Sequence, residues 1–267
     1  MKDGPVPESY TGVWQRTLLQ TASGERDTSS RVFWLQSRRL HADLRIRLDR
    51  PVLPVGVGLA DITREQALAL ARQGGFAGTT RVDGDLCRWQ REIDYRPPAL
   101  AADVGVMRFA TADRLLEDCP HGRYHECWQR LPDSQGISQG FRLEEVGGSA
   151  AVAPRIAYLL VCGVYFAFVR SRGAALPAGA SLVSLVAAAQ QAQERVALLD
   201  CELSFGRCDG AAPNWRIELS TLPLREGATL FAEPPALLRR ARRWHAEDRL
   251  WISSLDGPLL WRISAAD

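Results

Sequence analysis

The sequence has almost no lysine and almost no asparagine: Lys2 and Asn214 are the only examples in 267 residues. Thirty-two of the 33 basic residues are therefore arginines. In a chain rich in alanine and leucine, such a skew is typical of a GC-rich genome rather than of selection for arginine chemistry. The formal net charge is only +2, whereas nucleic-acid-binding domains usually carry a concentrated basic excess. We therefore expect no nucleic-acid partner.

The sequence also lacks a hydrophobic run long enough for a membrane-spanning helix. The longest run, from Ile156 to Val169, has fourteen residues, and a spanning helix needs ~20. Its β-branched and aromatic residues favour a buried strand or a tight hairpin instead. The first residues contain no apolar core of a secretory signal. We expect a cytoplasmic protein with no membrane partner and with its six cysteines reduced.

Several sequence motifs of enzymes are missing as well. The chain has no Gly-x-Ser-x-Gly elbow, no phosphate-binding loop, no Gly-x-Gly-x-x-Gly dinucleotide motif and no His-Glu-x-x-His. Hydrolase, kinase and dehydrogenase functions therefore find no support, and we expect no cofactor. The composition, 46% hydrophobic and 24% charged, excludes disorder, collagen and coiled coil.

Strand patterns dominate what is present. Short β-branched and aromatic segments between Gly, Pro and Asp breaks predict sixteen strands, over residues 10–19, 31–37, 42–48, 53–59, 76–82, 86–95, 104–110, 113–118, 123–130, 140–146, 155–170, 197–207, 214–221, 228–232, 248–254 and 259–264. Helices are predicted over 63–73, 181–195 and 234–246. The linker-like segment 131–140 divides the chain into residues 1–135 and 136–267, each predicted to be a β-barrel-like domain, the second with two helices. One closed barrel of sixteen strands would have a lumen too wide for this chain to fill.

Four predicted strands repeat one pattern, in which a tryptophan is followed two residues later by a polar side chain with several hydrogen-bonding atoms. The pairs are Trp14 with Arg16, Trp34 with Gln36, Trp89 with Arg91, and Trp128 with Arg130; Tyr124 and Glu126 follow the same spacing. Residues two apart in a strand share one face of the sheet. If these faces point inward, the first barrel has an aromatic cavity with an Arg–Glu network. The alternative is that they cover the outer surface or a domain seam.

A family resemblance rests on several of these segments. Tyr10-Thr11-Gly12-Val13-Trp14 resembles the Gly-x-Trp opening of the calycins, the superfamily of lipocalins and fatty-acid-binding proteins. The segments 33–36, 76–79, 89–95, 124–128, 200–207 and 215–226 resemble a sparsely characterised bacterial family related to a fungal two-barrel, lipocalin-like protein known as a kinase interactor. The resemblance implies a mainly β fold of antiparallel calycin-like barrels with a few short helices. It also implies a small-molecule cavity or a protein-binding role, and it carries over no catalytic residues.

Three functions follow as hypotheses. The first is the binding of a small, partly apolar and potentially anionic ligand by the residues Trp14, Arg16, Trp34, Gln36, Trp89, Arg91, Tyr124, Glu126, Trp128 and Arg130. The second is cofactor-independent acid–base chemistry of isomerase or cyclase type in the same cavity, with Glu126 as the base and Arg91 as an anion clamp. The third is a protein-interaction module without a ligand, in which the partner is another protein or a second copy of the chain.

One hairpin contains four residues of the types that bind zinc: Cys119, His121, His125 and Cys127. A three-residue loop would pair the two cysteines and the two histidines and bring all four side chains to one face. A two-residue loop would instead separate the cysteines from the histidines. The spacing does not match a zinc finger, so we expect an ordinary hairpin without metal. A haem site on one of the four histidines is a further alternative.

Overall fold

The computed structural model describes residues 4–54, 57–147, 154–208, 215–232 and 248–267. Within them the chain is mostly β, as predicted, with fifteen strands and three short α-helices. The strands are β1 (Gly12–Thr21), β2 (Ser30–Gln36), β3 (Leu40–Arg47), β4 (Gly74–Asp83), β5 (Leu86–Asp94), β6 (Asp103–Thr111), β7 (Arg114–Asp118), β8 (Tyr124–Arg130), β9 (Ser138–Glu145), β10 (Ile156–Cys162), β11 (Tyr165–Arg170), β12 (Glu202–Arg207), β13 (Arg216–Ser220), β14 (Arg249–Ile252) and β15 (Leu259–Ala266). The helices are α1 (Arg64–Leu70), α2 (Leu182–Ala188) and α3 (Ala192–Leu199).

The first eight strands form a closed antiparallel barrel. Each strand pairs with the next, and β8 returns to pair with β1, where Trp14 lies opposite Arg130 and Thr21 opposite Tyr124. A bulge between Arg16 and Leu18 shifts the register of β1 by one residue. Because side chains alternate along each strand, every second residue points into the barrel.

The other seven strands form a half-barrel sheet in the order β13-β12-β11-β10-β9-β15-β14. Among the described residues no hydrogen bonds join β13 to β14, so this sheet stays open. Of the two alternatives for the run from Ile156 to Val169, a buried strand or a tight hairpin, the structure has the hairpin: the single strand predicted over 155–170 is β10 and β11, which turn at Gly163. No described helix combines the length and the apolar character that crossing a bilayer requires.

The barrel and the half-barrel share the largest hydrophobic core. The outward face of β2, β3 and β4 packs on β10, β11 and β12, and the three helices cover one side of this core. At its centre the ring of Phe33 stacks on Phe205 with the ring centroids 4.4 Å apart. The predicted boundary between residues 135 and 136 lies in the connection between β8 and β9. The division into two domains stays a prediction, because one core spans both parts.

One predicted helix begins where the sequence indicates, and another is divided into two. Helix α1 begins as expected at Thr63, whose hydroxyl accepts from the Gln66 amide while the Gln66 side chain accepts from the Thr63 amide. The helix predicted over 181–195 is two helices, because the Glu194 carboxylate accepts from the amides of Gln190 and Gln191 and so begins α3.

Three strand predictions were wrong in existence or extent, and one helix prediction lies outside the described residues. The strand predicted over 53–59 is not formed by the described residues of that range. The strand predicted over 197–207 begins only at Glu202, since α3 extends to Leu199. In the segment 228–232 only Thr229 makes a β-bridge, to Arg216. The helix predicted over 234–246 lies outside the described residues.

Candidate functional site in the closed barrel

The four tryptophans of the repeated pattern all lie inside the closed barrel. Trp14 and Trp34 are cross-strand neighbours on β1 and β2, with ring centroids 6.4 Å apart in a stacked arrangement. Trp34 in turn meets Trp89 and Trp128 edge-on, at 5.6 and 5.9 Å. All four side chains are buried. The alternative in which these faces line the outer surface is therefore excluded for the tryptophans.

A cavity of about 250 Å³ lies beside three of these rings, those of Trp34, Trp89 and Trp128. It is lined by Leu19, Trp34, Asp43, Arg45, Phe76, Trp89, Arg91, Asp103, Glu117, Tyr124, Glu126 and Trp128. The cavity is smaller than the ~300–1,000 Å³ typical of drug-sized ligands. It therefore suits a molecule of about one aromatic ring with a short polar arm.

One end of the barrel is closed by Arg130. Its guanidinium lies 4.1 Å from the Trp14 ring centroid, pairs with Asp113 at 3.0 Å and donates to the carbonyl oxygens of Ser9, Thr11 and Ala112. These partners compensate the buried charge of Arg130, and the side chain closes this end of the barrel. Arg130 and Trp14 therefore support the site but do not line the cavity, contrary to their predicted role as ligand contacts.

Gln36 also lies below the cavity rather than in its wall. It is fully buried, donates to the carbonyl oxygens of Ser37 and Leu40, and accepts a hydrogen bond from the Thr80 hydroxyl at 2.7 Å. The opposite end of the barrel is more open, since Leu19, Arg45 and Tyr124 are half-buried there. We therefore place the mouth of the cavity at that end.

The predicted Arg–Glu network is present inside the barrel and is larger than expected. Arg16 pairs with Glu126 at 2.8 Å and also with Asp27. The guanidinium of Arg16, like that of Arg130, does not line the cavity. Two other arginines of the network, Arg45 and Arg91, do line it. Arg45 pairs with Asp43 at 2.6 Å.

Arg91 supplies the third guanidinium of the network, and that guanidinium already binds two carboxylates. It pairs with Asp94 at 2.8 Å and Asp103 at 2.5 Å, and it lies 3.6 Å from the centroid of the Phe76 ring. An anionic ligand would have to displace two carboxylates to reach it. The geometry therefore does not favour the clamp role expected for Arg91.

Glu126 faces a second carboxyl group that the sequence patterns did not reveal. Glu117 on β7 is its direct cross-strand partner, and both side chains are almost completely buried. Glu117 accepts hydrogen bonds from the Tyr124 hydroxyl at 3.1 Å and from the Trp128 indole N–H at 3.0 Å. Whereas Glu126 has an arginine partner, Glu117 is held by neutral donors.

Burial raises the pKa of both carboxyl groups. The pKa of Glu117 lies well above its usual value because the group is desolvated and faces Glu126. The pKa of Glu126 is raised by burial too, although Arg45 and Arg16 oppose that rise. Two carboxylates in contact cannot both ionise easily. Burial and the mutual repulsion therefore favour the protonated form of one carboxyl group of the pair, and they act more strongly on Glu117, which has no arginine partner among the described residues.

A second feature missed from the sequence is a buried histidine. His41 is fully buried on β3, and its Nδ1 lies 3.0 Å from the Thr80 hydroxyl. The Thr80 hydroxyl donates to Gln36, so its oxygen accepts the Nδ1 proton and leaves Nε2 as a bare acceptor. Nε2 has no partner among the described residues. Burial, together with the charge of Arg91, lowers the pKa of His41 to about 3.

The zinc-type hairpin does not bring its four residues together. The register pairs Asp118 with His125 and Leu116 with Cys127, so Cys119 lies opposite Tyr124 and on the other face from His125. His125 Nδ1 lies 2.7 Å from Asp118 and its Nε2 lies 3.3 Å from Cys127. Neither loop considered from the sequence occurs, because the chain turns over Pro120–Arg123. His121 is exposed in that turn.

Nothing in the described part of the chain forms a metal centre. Among those residues no group of three or more His, Cys, Asp or Glu side chains could hold a metal ion. The barrel cavity is also small for a haem, and none of the lining residues is a histidine.

A larger cleft, of about 900 Å³, lies outside the barrel beside β5. It runs between β5, the segment 96–103 and the segment 171–176, and it shares Trp89, Arg91 and Asp103 with the barrel cavity. Several of its lining residues, such as Arg88 and Ala99, are exposed. We favour the barrel cavity as the functional site because the carboxyl groups of Asp43, Glu117 and Glu126 are buried there, which strengthens the polar contacts that they make.

The structure therefore defines a closed antiparallel barrel with a small internal cavity, joined to a half-barrel sheet. This fold resembles the crystal structure of the uncharacterised protein YLR301w from Saccharomyces cerevisiae, with a TM-score of 0.54 and 11% sequence identity over 96% of this chain and 98% of that one. At that identity the likeness concerns the fold alone. No family model and no curated protein matches the sequence.

Proposed function

We propose that this protein binds a small, partly apolar molecule inside its closed barrel. The observation that carries the proposal is the cavity of about 250 Å³ enclosed by Trp34, Phe76, Trp89 and Trp128, with buried carboxyl groups and half-buried guanidiniums converging on it. Cavities that are mostly apolar with a few convergent polar groups are the usual form of small-molecule sites. Kinship with the calycins, which enclose ligands in such barrels, is part of the same proposal.

A variant that fills the cavity tests the proposal. Leu19 points into the cavity, whereas its neighbour Leu18 pairs with Cys127 on the outer face of the barrel. We expect ligand-observed NMR to detect single-ring aromatic fragments bound to the wild-type protein. Leu19→Trp should weaken the binding of these fragments at least tenfold, and Leu18→Trp should leave it unchanged. If no such fragment binds, or if Leu19→Trp leaves binding unchanged, the proposal is refuted.

Acid–base catalysis in the same cavity is the second candidate, and the Glu117–Glu126 pair favours it. A carboxyl group whose pKa is raised by burial, beside a second one paired with an arginine, is the arrangement that a general acid and a general base require. Glu126→Gln separates the two functions. A binding protein keeps most of its affinity for neutral ligands in this variant, whereas an enzyme loses turnover.

The protein-interaction hypothesis without a ligand is less favoured by the barrel. A module of that kind needs a filled interior, and the closed barrel has a cavity. The half-barrel does have a packed face, formed by Trp215, Phe231, Trp261 and other buried residues. An interaction role for that half of the molecule, with another protein or a second copy, stays a prediction.

A further inference from the structure

We infer that the ligand of the barrel is an organic cation, an amine carried on an aromatic or similarly flat apolar group. This inference rests on the proposed function and specifies the chemical class of the ligand. It differs from the expectation of an anionic ligand that the arginines in the sequence suggested. Three features of the cavity support it: its charge balance, its unpaired carboxyl group and its aromatic wall.

The first feature is an excess of carboxyl groups over guanidiniums. Three guanidiniums lie in the network, and every one is already paired: Arg16 with two carboxylates, Arg45 with one and Arg91 with two. Glu117 adds a sixth carboxyl group. An anion would therefore enter a site whose positive charges are neutralised, and it would meet the remaining carboxyl groups.

The second feature is that Glu117 forms no ion pair with any of the described residues, and Arg45, whose charge lowers the pKa of Glu117 in part, is paired with Asp43. The two oxygens of Glu117 accept from the Tyr124 hydroxyl and the Trp128 indole, which are neutral donors. Each oxygen keeps a further lone pair, since a carboxylate can accept about four hydrogen bonds. A ligand ammonium beside Glu117 would replace the proton that the carboxyl pair otherwise holds, and it would form a charge-assisted hydrogen bond in a desolvated site.

The third feature is the aromatic wall around that carboxyl group. Trp34, Trp89 and Trp128 line the cavity together with Glu117. Indole rings are the best partners for cations among the aromatic side chains. An ammonium group beside Glu117 would therefore also lie close to indole rings.

Three small probes of one shape and different charge test the inference by isothermal titration calorimetry at neutral pH. They are phenethylamine, 2-phenylethanol and phenylacetate. We expect phenethylamine to bind about 10- to 100-fold more tightly than 2-phenylethanol, the range that a hydrogen bond to a charged group supplies. Phenylacetate should bind most weakly of the three.

Two carboxyl variants on neighbouring residues assign the effect to the cavity. Glu117→Gln removes the inward-facing carboxyl group and should abolish most of the preference for phenethylamine over 2-phenylethanol. Asp118→Asn removes a carboxylate one residue along the same strand, on the outer face beside His125, and should leave the preference unchanged. The melting temperature of each variant confirms that it folds.

The outcomes distinguish the inference from the proposed function. If 2-phenylethanol or phenylacetate binds as tightly as phenethylamine or more tightly, the cavity binds ligands but the cation inference is wrong. If Glu117→Gln keeps the full preference, the inference is wrong as well. If none of the three probes binds the wild-type protein, the proposed function itself fails, and the inference with it.

Discussion

At the scale of single residues, the repeated Trp-x-polar pattern was informative because strand alternation fixes which side chains share a face. Six of the ten residues predicted from it line the cavity, and the two with the strongest structural roles, Trp14 and Arg130, lie just below it. Glu117 was missed because its position depends on the hairpin register. The turn after Cys119 decides that Glu117, and not Asp118, lies opposite Glu126. No local pattern in the sequence contains that information.

The buried Glu117 carboxyl group should destabilise the folded protein as pH rises. A carboxyl pKa that is higher in the folded than in the unfolded chain means that the folded state binds more protons, so stability falls as pH increases above about 4.5. The groups around it are Glu126, Asp103, Arg45 and Tyr124. Glu117→Gln removes this pH-dependent penalty, and because ~1 kcal/mol raises Tm by about 2–4 °C in a chain of this size, Tm at pH 7 should rise by at least that amount.

Thermal unfolding of both proteins between pH 4 and pH 8 measures the effect. The gain in Tm should shrink towards acid pH, where the wild-type carboxyl group is protonated in both the folded and the unfolded chain. A lower Tm for Glu117→Gln at pH 7 would show that the carboxyl group is ionised and well solvated or paired, contrary to this description of the site.

His41 should have the opposite pH dependence. Its pKa of about 3 in the folded chain lies below that of an unfolded histidine, so the unfolded state binds the extra proton, and stability is lost as pH falls from about 6.5 towards 3. Each pKa unit is worth about 1.4 kcal/mol, so ~3 kcal/mol is lost by pH 4. His41→Asn keeps a donor towards Thr80 but cannot take up a proton. The free energy of unfolding of His41→Asn, relative to that of the wild type, should therefore rise at acid pH.

Urea unfolding at pH 7 and at pH 4 measures that difference directly. The exposed His121→Asn substitution is the matched control, and it should show no comparable change between the two pH values. A pH-independent difference for His41→Asn would mean that His41 is not held neutral by its surroundings.

At the scale of secondary-structure elements, strand positions followed from local patterns better than element lengths did. The β10–β11 hairpin and most barrel strands were predicted, because alternation and turn residues are local signals. The helix over 181–195 was predicted as one because its apolar spacing continues through Ala189. What divides it is the pair of hydrogen bonds from Gln190 and Gln191 to Glu194, which compete with the continuing helix.

Gly75 allows a close contact between the barrel and the half-barrel. Its φ is +146°, and a Cβ there would overlap the carbonyl oxygen of Asp43 and the side chain of Leu203. Gly75→Ala should therefore lower the free energy of unfolding by ~2–5 kcal/mol, from backbone strain and overpacking together. Gly84 has a φ of +62° but open space around its Cα. Gly84→Ala should cost only about 1 kcal/mol.

Chemical denaturation of the two alanine variants compares these costs. Equal costs would show that β4 and β12 can separate to accommodate a methyl group. The barrel and the half-barrel would then be less tightly joined than their shared core indicates.

At the scale of the whole molecule, the sequence correctly indicated a mainly β chain but not how its halves are joined. Both halves contribute to one core through aromatic contacts such as Phe33 with Phe205, and such long-range packing has no local sequence signal. The cavity is likewise a property of the assembled barrel. Its walls come from all eight barrel strands, and its charge balance follows from which arginines are paired rather than from how many there are.

The position of a bound amine tests the central claim, that the barrel cavity is the ligand site, most directly. A crystal structure of the wild-type protein with phenethylamine should place the ring among Trp34, Trp89 and Trp128, with the amine nitrogen ~3 Å from a Glu117 oxygen. Density only in the outer cleft beside β5, or no density inside the barrel at saturating phenethylamine, would contradict the claim.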